Sequence, residues 1–403
     1  MQTARSHPHP LQPPRPRHPE IDVAKGVAIF CVLLIHADPL AGTRLQEYVV
    51  NRAVPVLLVL FGASSELWWR RHDEQSSLLQ SGLAFVRARY VRLLPQVWAA
   101  LGIWWALRVC VDNTRPNESV PAAEWLVAHA LGYIPQVGTG WFVTLIVQLV
   151  VLVPLLRWLL LRAGTGPAVV LAAAIHVVCQ LRILDVVDIV RALLHDSAHV
   201  SGFFVFYYSW IFAPARLLLV LVGMLLARHG MRTSPRLLLV AAGAWTTGYL
   251  LYAQLEDVLQ RNLVLSLMDL PLTLLWLAAA RAVSRRVGAA LAWLGRESWG
   301  VYLGQLLVHT SFGLFGYHLM TPSVAIRFAY VGALFAGGVV WVLLGDGVVA
   351  LWRAGRTRAT KKQRHADEQR EPEHTQADSH EQGVAHILEH DTVLASGKQH
   401  GAK

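Results

Sequence analysis

Charge is scarce in this chain. Asp, Glu, Lys and Arg make up 15% of its 403 residues, where a soluble domain carries roughly 25%. With 54% hydrophobic residues and a mean hydropathy of +0.41, that deficit excludes an ordinary soluble globular protein. Cysteine is scarcer still. Cys31, Cys110 and Cys179 form no CxxC pair, so no disulfide framework is expected. They read as small buried hydrophobes in apolar blocks. No cleavable leader is expected either. The first twenty residues are rich in Pro, His and Arg, with no apolar core before a small-residue cleavage site. The apolar stretch from Ile21 is therefore expected to be a retained first helix. No internal repeat relates residues 20–180 to 200–352, which counts against the repeat-built transporter folds.

What is present is a series of apolar blocks, each long enough to cross hydrocarbon, which takes about 20 residues per helix. The expected fold is all-α, a polytopic membrane protein of about ten transmembrane helices. They fall at approximately 21–40, 48–69, 93–111, 141–161, 167–184, 203–227, 236–254, 262–281, 289–312 and 324–352. The start of the ninth, Leu291 to Glu297, has the look of an interfacial segment. Arginines cluster in alternate connections: Arg5, Arg15 and Arg17; Arg70, Arg71, Arg87, Arg89 and Arg92; Arg228, Arg232 and Arg236; Arg281, Arg285 and Arg286; Arg353, Arg356 and Arg358. The intervening loops carry Asp112, Glu118, Glu124, Asp185, Asp188 and Asp196 instead. Positive charge stays on the cytoplasmic side, so both termini are expected inside. The same distribution explains the net charge of +10 as a topology signal, with no nucleic-acid partner. Three segments follow: a disordered Pro/His/Arg-rich stretch at 1–19, a membrane domain at 20–353, and a polar, disordered tail at 354–403. The tail histidines (His365, His374, His380, His386, His390, His400) are spaced too irregularly for a metal cage, and no metal site is expected.

Ionisable residues inside a span are costly and are functional candidates by default. The first span has three: Asp22, Lys25 and His36. At 100° per residue, Lys25 and His36 lie roughly 20° apart around the helix, with Asp22 within about 60° of both. All three face one way, and His36 stands ~16 Å further along the axis than Lys25. Asp22 and Lys25 can pair at i, i+3. A plain alternative is that they mark a helix end, with Lys25 snorkelling to the interface. Histidine suits group transfer, as base or as acyl carrier, and a cation on the same face would attract phosphate. Arg89 and Arg92 share a face at the entry to the third span, as anchor or anion clamp. Arg216 and Asp269 sit within spans, where they can pair for structural reasons alone. Pro95, Pro154, Pro214 and Pro271 can kink helices. Trp141 marks an outer interface.

Taken in order, these residues resemble acyltransferase family 3, a family of integral membrane acyltransferases, over about residues 20–352. The carriers are Asp22, Lys25 and Gly26 followed by His36 after the family's spacing of ten residues; Arg89 and Arg92 before Leu93-Leu94-Pro95; Trp141-Phe142; Arg216 before Gly223; and Leu294, Gly295, Ser298, Tyr302 and Leu303. The resemblance implies transfer from a cytoplasmic donor, commonly acetyl-CoA, to a sugar, glycan or lipid-linked acceptor. It makes the first-helix histidine the expected catalytic group and a bacterial plasma membrane the expected setting. No bound cofactor is expected, acyl-CoA being a co-substrate. Three positions depart from the pattern. Lys25 replaces the usual arginine, and an ammonium cannot make a bidentate phosphate contact. The Phe-x-x-Ser-Gly signature reads Phe61-Gly62-Ala63-Ser64-Ser65. Gln305 stands where a histidine often follows Tyr-Leu.

The expected machinery is then His36 as catalytic group, with Lys25, Arg89 and Arg92 binding donor phosphates and Asp22, Arg216, Trp141, Ser298 and Tyr302 in support. The competing classes are a transporter whose buried charges relay protons, and a non-catalytic scaffold of the same fold.

Overall fold

The computed structural model describes residues 18–72, 77–112, 140–182, 211–283, 285–314 and 323–351, with isolated residues at 127, 130–132, 185, 188 and 360. Among these residues all regular structure is helical. Helix α1 (Pro19–Ala37) begins with Pro at its first turn and Glu20 and Asp22 beside its positive end. It stops where Asp38 turns left-handed at φ 49° and returns its N–H to the Leu34 carbonyl, with Pro39 next. Short α2 (Arg44–Tyr48), capped by Thr43, leads through a 3₁₀ turn (Val50–Arg52) into α3 (Ala53–His72). Then come α4 (Leu78–Asp112), α5 (Trp141–Arg162) and α6 (Thr165–Leu181). A 3₁₀ turn (Ala213–Arg216) opens α7 (Leu217–Arg228), followed by α8 (Pro235–Gln254) and α9 (Val258–Ala282). The last are α10 (Arg285–Arg296), α11 (Ser298–Leu314) and α12 (Val324–Leu351).

Most predicted spans coincide with these helices, and three expectations need correction. Arg87, Arg89 and Arg92 are not in a loop: α4 starts at Leu78 and carries Arg87 and Arg92 exposed and Arg89 half-buried, because no proline stands between Leu78 and Arg92. The ninth predicted span is two helices, α10 and α11, parted at Glu297. Pro214 lies in a 3₁₀ turn and not inside an α-helix, whereas Pro95, Pro154 and Pro271 are interior. Of the thiols, Cys31 is buried, Cys179 half-buried and Cys110 exposed. The tail histidines, Arg353 to Arg358 and the N-terminal arginines lie outside the described residues.

Four stretches are long and apolar enough to cross a membrane: Arg44–His72, Trp141–Arg162, Gln260–Ala282 and Val324–Leu351. Thr165–Leu181 is apolar but shorter. Outward faces are apolar as well. Leu239 is 75% exposed and Leu79 73%, a distribution that suits lipid and would aggregate in water. The chain is an integral membrane protein.

The chain divides into two units, Met1–Val342 and Leu343–Lys403. In the second, the described residues are the end of α12, with Leu344 and Leu351 exposed, and Thr360. Within the first unit, helices meet through glycine. A Cβ on Gly26 of α1 would lie 2.0 Å from the Leu291 carbonyl oxygen of α10, and one on Gly295 would lie 1.8 Å from that of Asp22. The same reciprocal contact joins α3 to α7, through Gly62 against Val220 and Gly223 against Val59. Small residues at crossings let backbones close without a hydrophobic drive, as membrane helices require.

Candidate active site

One cavity of about 570 Å³ opens in this unit. Helical spacing puts its lining there. Asp22, Lys25 and Ile29 come from one face of α1, and Leu57, Phe61, Ser64, Trp68 and Arg71 from one face of α3. Arg89 and Arg92 come from α4, and Phe142 and Ile146 from α5. Arg296, Glu297, Ser298, Trp299 and Tyr302 close it where α10 passes into α11. Five cations (Lys25, Arg71, Arg89, Arg92, Arg296) face two carboxylates (Asp22, Glu297), so the cavity is net positive by three. Such a lining attracts polyanions, and its aromatic walls suit a planar group.

The cations are held short of neutralisation. Lys25 Nζ donates to Ser64 Oγ at 2.6 Å, and Ser64 Oγ donates to the Leu60 carbonyl at 2.8 Å. Lys25 thus has its hydrogen bond on α3 and not with Asp22 one turn back. Arg89 lies over Phe85 at 5.1 Å and Phe61 at 5.9 Å, with one long bond of 3.5 Å to the Ser64 carbonyl. Its buried Nε has no hydrogen-bond partner among the described residues. A hydroxyl and a carbonyl satisfy donors without neutralising charge, and the two carboxylates of the lining offset only part of it.

His36 stands further up α1 and does not line the cavity. Its Nδ1 is 2.7 Å from Gln305 Oε1 on α11, and its ring centre is 5.4 Å from that of His309. His309 Nδ1 in turn is 2.9 Å from the Tyr330 hydroxyl. Tyr302, one turn before Gln305, joins the two places. It lines the cavity and meets Phe142 ring to ring at 5.2 Å. Trp299 stacks on it at 6.1 Å.

Six predicted residues therefore share one cavity: Asp22, Lys25, Arg89, Arg92, Ser298 and Tyr302. Trp141 is buried behind that wall, its ring 5.9 Å from Phe142. Arg216 is elsewhere, buried at the start of α7 among the charges of Asp269 and Arg52. Asp269, fully buried, receives a bidentate pair from Arg52 at 2.7 and 2.9 Å, a contact that holds α9 to the start of α3. Sequence reasoning took Phe61 only as part of a family signature and Arg71 only as a topology marker, and passed over Trp68. Their signal was present, since positions 57, 61, 64, 68 and 71 form a helical stripe. His309 and Tyr330 gave no comparable signal.

A family model described as an acyltransferase domain, that of acyltransferase family 3, matches residues 18–345. That range takes in the whole cavity together with His36, Gln305 and His309. No curated protein and no solved structure matches the chain.

Proposed function

This chain belongs to acyltransferase family 3 and is a membrane acyltransferase, and from that premise we propose that it moves an acetyl or other short acyl group from acyl-CoA to a hydroxyl of a sugar, glycan or lipid-linked acceptor. Membership sets the enzyme above the transporter. The observation that carries the finer reading is the net-positive cavity at the start of α1, with His36 on the same helix beyond it. Phosphates of the donor bind Lys25, Arg89 and Arg92, where a planar guanidinium gives two parallel hydrogen bonds and Lys25 a point charge. Ser298 and Tyr302 shape the wall, Asp22 limits the local positive charge, and Trp141 backs Phe142. Arg216 supports the bundle.

The acyl thioester then extends past Tyr302 toward His36. As a base, His36 takes the acceptor's proton while the acceptor oxygen attacks the thioester carbonyl. The C–S bond breaks, and the thiolate leaves with that proton. As a carrier, the imidazole nitrogen attacks the thioester carbonyl and the C–S bond breaks, giving an acyl-imidazolium and the thiolate. The acceptor oxygen then attacks the acyl carbon, the C–N bond breaks to restore the imidazole, and the acceptor's proton passes to the thiolate. The ~16 Å between Lys25 and His36 along α1 allows donor and acceptor to come from opposite sides. The arginine-rich ends support about ten spans with both termini cytoplasmic. A bacterial plasma membrane and O-acetylation of a cell-envelope glycan or lipid fit that arrangement.

The test is acyl transfer from radiolabelled acetyl-CoA in membranes that contain the protein, beside His36→Ala at matched abundance. Label on an extractable glycan or lipid with the parent and not with His36→Ala is the expected result. Equal label from both removes His36 from the chemistry.

A further inference from the structure

We infer that Gln305 is the positioning residue of His36, fixing the proton on Nδ1 and the reactive lone pair on Nε2. This rests on the reading of His36 as the transfer group, and concerns how that group is prepared. Gln305 lies one turn beyond Tyr302 on α11, with no exposed surface. Its Oε1 is 2.7 Å from His36 Nδ1. With Oε1 turned to the ring the amide can only accept, and Nδ1 then carries the hydrogen. A neutral imidazole has one N–H, and Nε2 is left with its lone pair. That is the state needed to take a proton or attack a carbonyl. Without a partner on Nδ1 the two tautomers compete and the ring is free to turn. His309 cannot supply the same restraint, because its Nδ1 is engaged by Tyr330 and it meets His36 ring to ring.

The other half of the amide supports a role other than packing. Gln305 Nε2 is buried and has no hydrogen-bond partner among the described residues. An unmet buried donor weakens a fold, and an apolar side chain of that shape would fill the site without it. A fully buried polar side chain where an apolar one would pack is placed for its bond to His36.

The experiment compares the parent with Gln305→Glu, which keeps an acceptor at the same reach, and Gln305→Met, which keeps the shape and removes the bond. Histidine is labelled with ¹⁵N, and the His36 signals in detergent are assigned by their loss in His36→Ala. The parent and Gln305→Glu should show the Nδ1–H tautomer, and Gln305→Met a mixture. In membranes at matched abundance, Gln305→Met should lower kcat about 100-fold, with donor KM unchanged, as expected for loss of an orienting partner. Gln305→Glu should stay within about tenfold of the parent, since the restored acceptor compensates. An Nε2–H tautomer in the parent overturns the inference. So does parental kcat in Gln305→Met, or a Gln305→Glu enzyme as impaired as Gln305→Met, which would mark a packing role. The Nδ1–H tautomer in a parent that transfers no acyl group upholds the inference on Gln305 and overturns the transfer reading instead.

Discussion

Gly295→Ala should damage both stability and donor binding, and the structure sets the size of the effect. Gly295 ends α10 against α1, and an added Cβ would lie 1.8 Å from the Asp22 carbonyl oxygen and 2.9 Å from the Gly26 nitrogen. Both are backbone atoms, so no side chain can swing aside. The helices must part by roughly 1.2 Å before the first contact reaches even 3.0 Å. Overpacking of this kind costs about 1–3 kcal/mol. The shift also reaches the cavity. Asp22 and Lys25 lie on one side of the crossing, and Arg296, Ser298 and Trp299 follow on the other. A misplacement of about 1 Å can lower a rate about 100-fold. The expected outcome is a lower melting temperature in detergent, a raised KM for acetyl-CoA and a reduced kcat. Gly243→Ala is the control. Gly243 is inside α8, and a Cβ added there would have nothing within 4 Å, so alanine should be neutral or stabilise by up to about 1 kcal/mol. Parental melting and parental KM in Gly295→Ala would refute the reasoning, because the crossing would then have room that the backbone separation denies.

Ser64→Ala removes the hydrogen bond that holds Lys25 Nζ, and should raise the KM for acetyl-CoA several-fold with kcat little changed, read from initial rates. Arg89→Met should raise the same KM by about tenfold or more, since a charge-assisted phosphate contact contributes about 1.5–3 kcal/mol. Lys25→Arg should preserve or raise transfer in an enzyme and leave a scaffold unaffected, which acetyl-CoA titration would separate. Asp269→Asn leaves Arg52 without its carboxylate. It should destabilise the protein by about 3–5 kcal/mol in detergent melts, with the donor KM of the surviving enzyme unchanged.

The helices were legible because apolar run length is a strong signal, and their ends because capping chemistry is local. Pro19, Asp38 and Pro39 fix the limits of α1 by themselves. Two features escaped for physical reasons. The first turns of α4 contain Arg87, Arg89 and Arg92, so hydropathy falls there while helix propensity does not, and a hydropathy boundary came too late. Glu297 divides α10 from α11 with no Pro at the break, and Gly295 just before it is itself helical. The glycine crossings were visible only as isolated letters. That Gly26 and Gly295 are partners depends on two helices folding together across 269 positions of chain.

The site was half legible, and the division follows from how buried charge is answered. Periodicity on one helix is enough to put Asp22, Lys25 and His36 on one face, and it did. It cannot say which charge is met by another helix. Asp269, like Lys25, is an ionisable residue within a predicted span, and its pairing for structural reasons is what the fold shows: Arg52 meets it with two short bonds. Glu66 is likewise buried, beside Arg228 at 2.9 Å and Arg157 at 3.8 Å. Those carboxylates have cations beside them and hold helices together. Lys25 and Arg89 have only neutral hydrogen-bond partners, a hydroxyl and a carbonyl, and both face a cavity. With Asp22 the carboxylate near Lys25, the cations of this lining outnumber its carboxylates, an excess that is costly at membrane depth unless something anionic visits it. In the proposed reaction that visitor is the phosphate-bearing donor, and the neutral hydrogen-bond partners of Lys25 and Arg89 keep the two cations available to it.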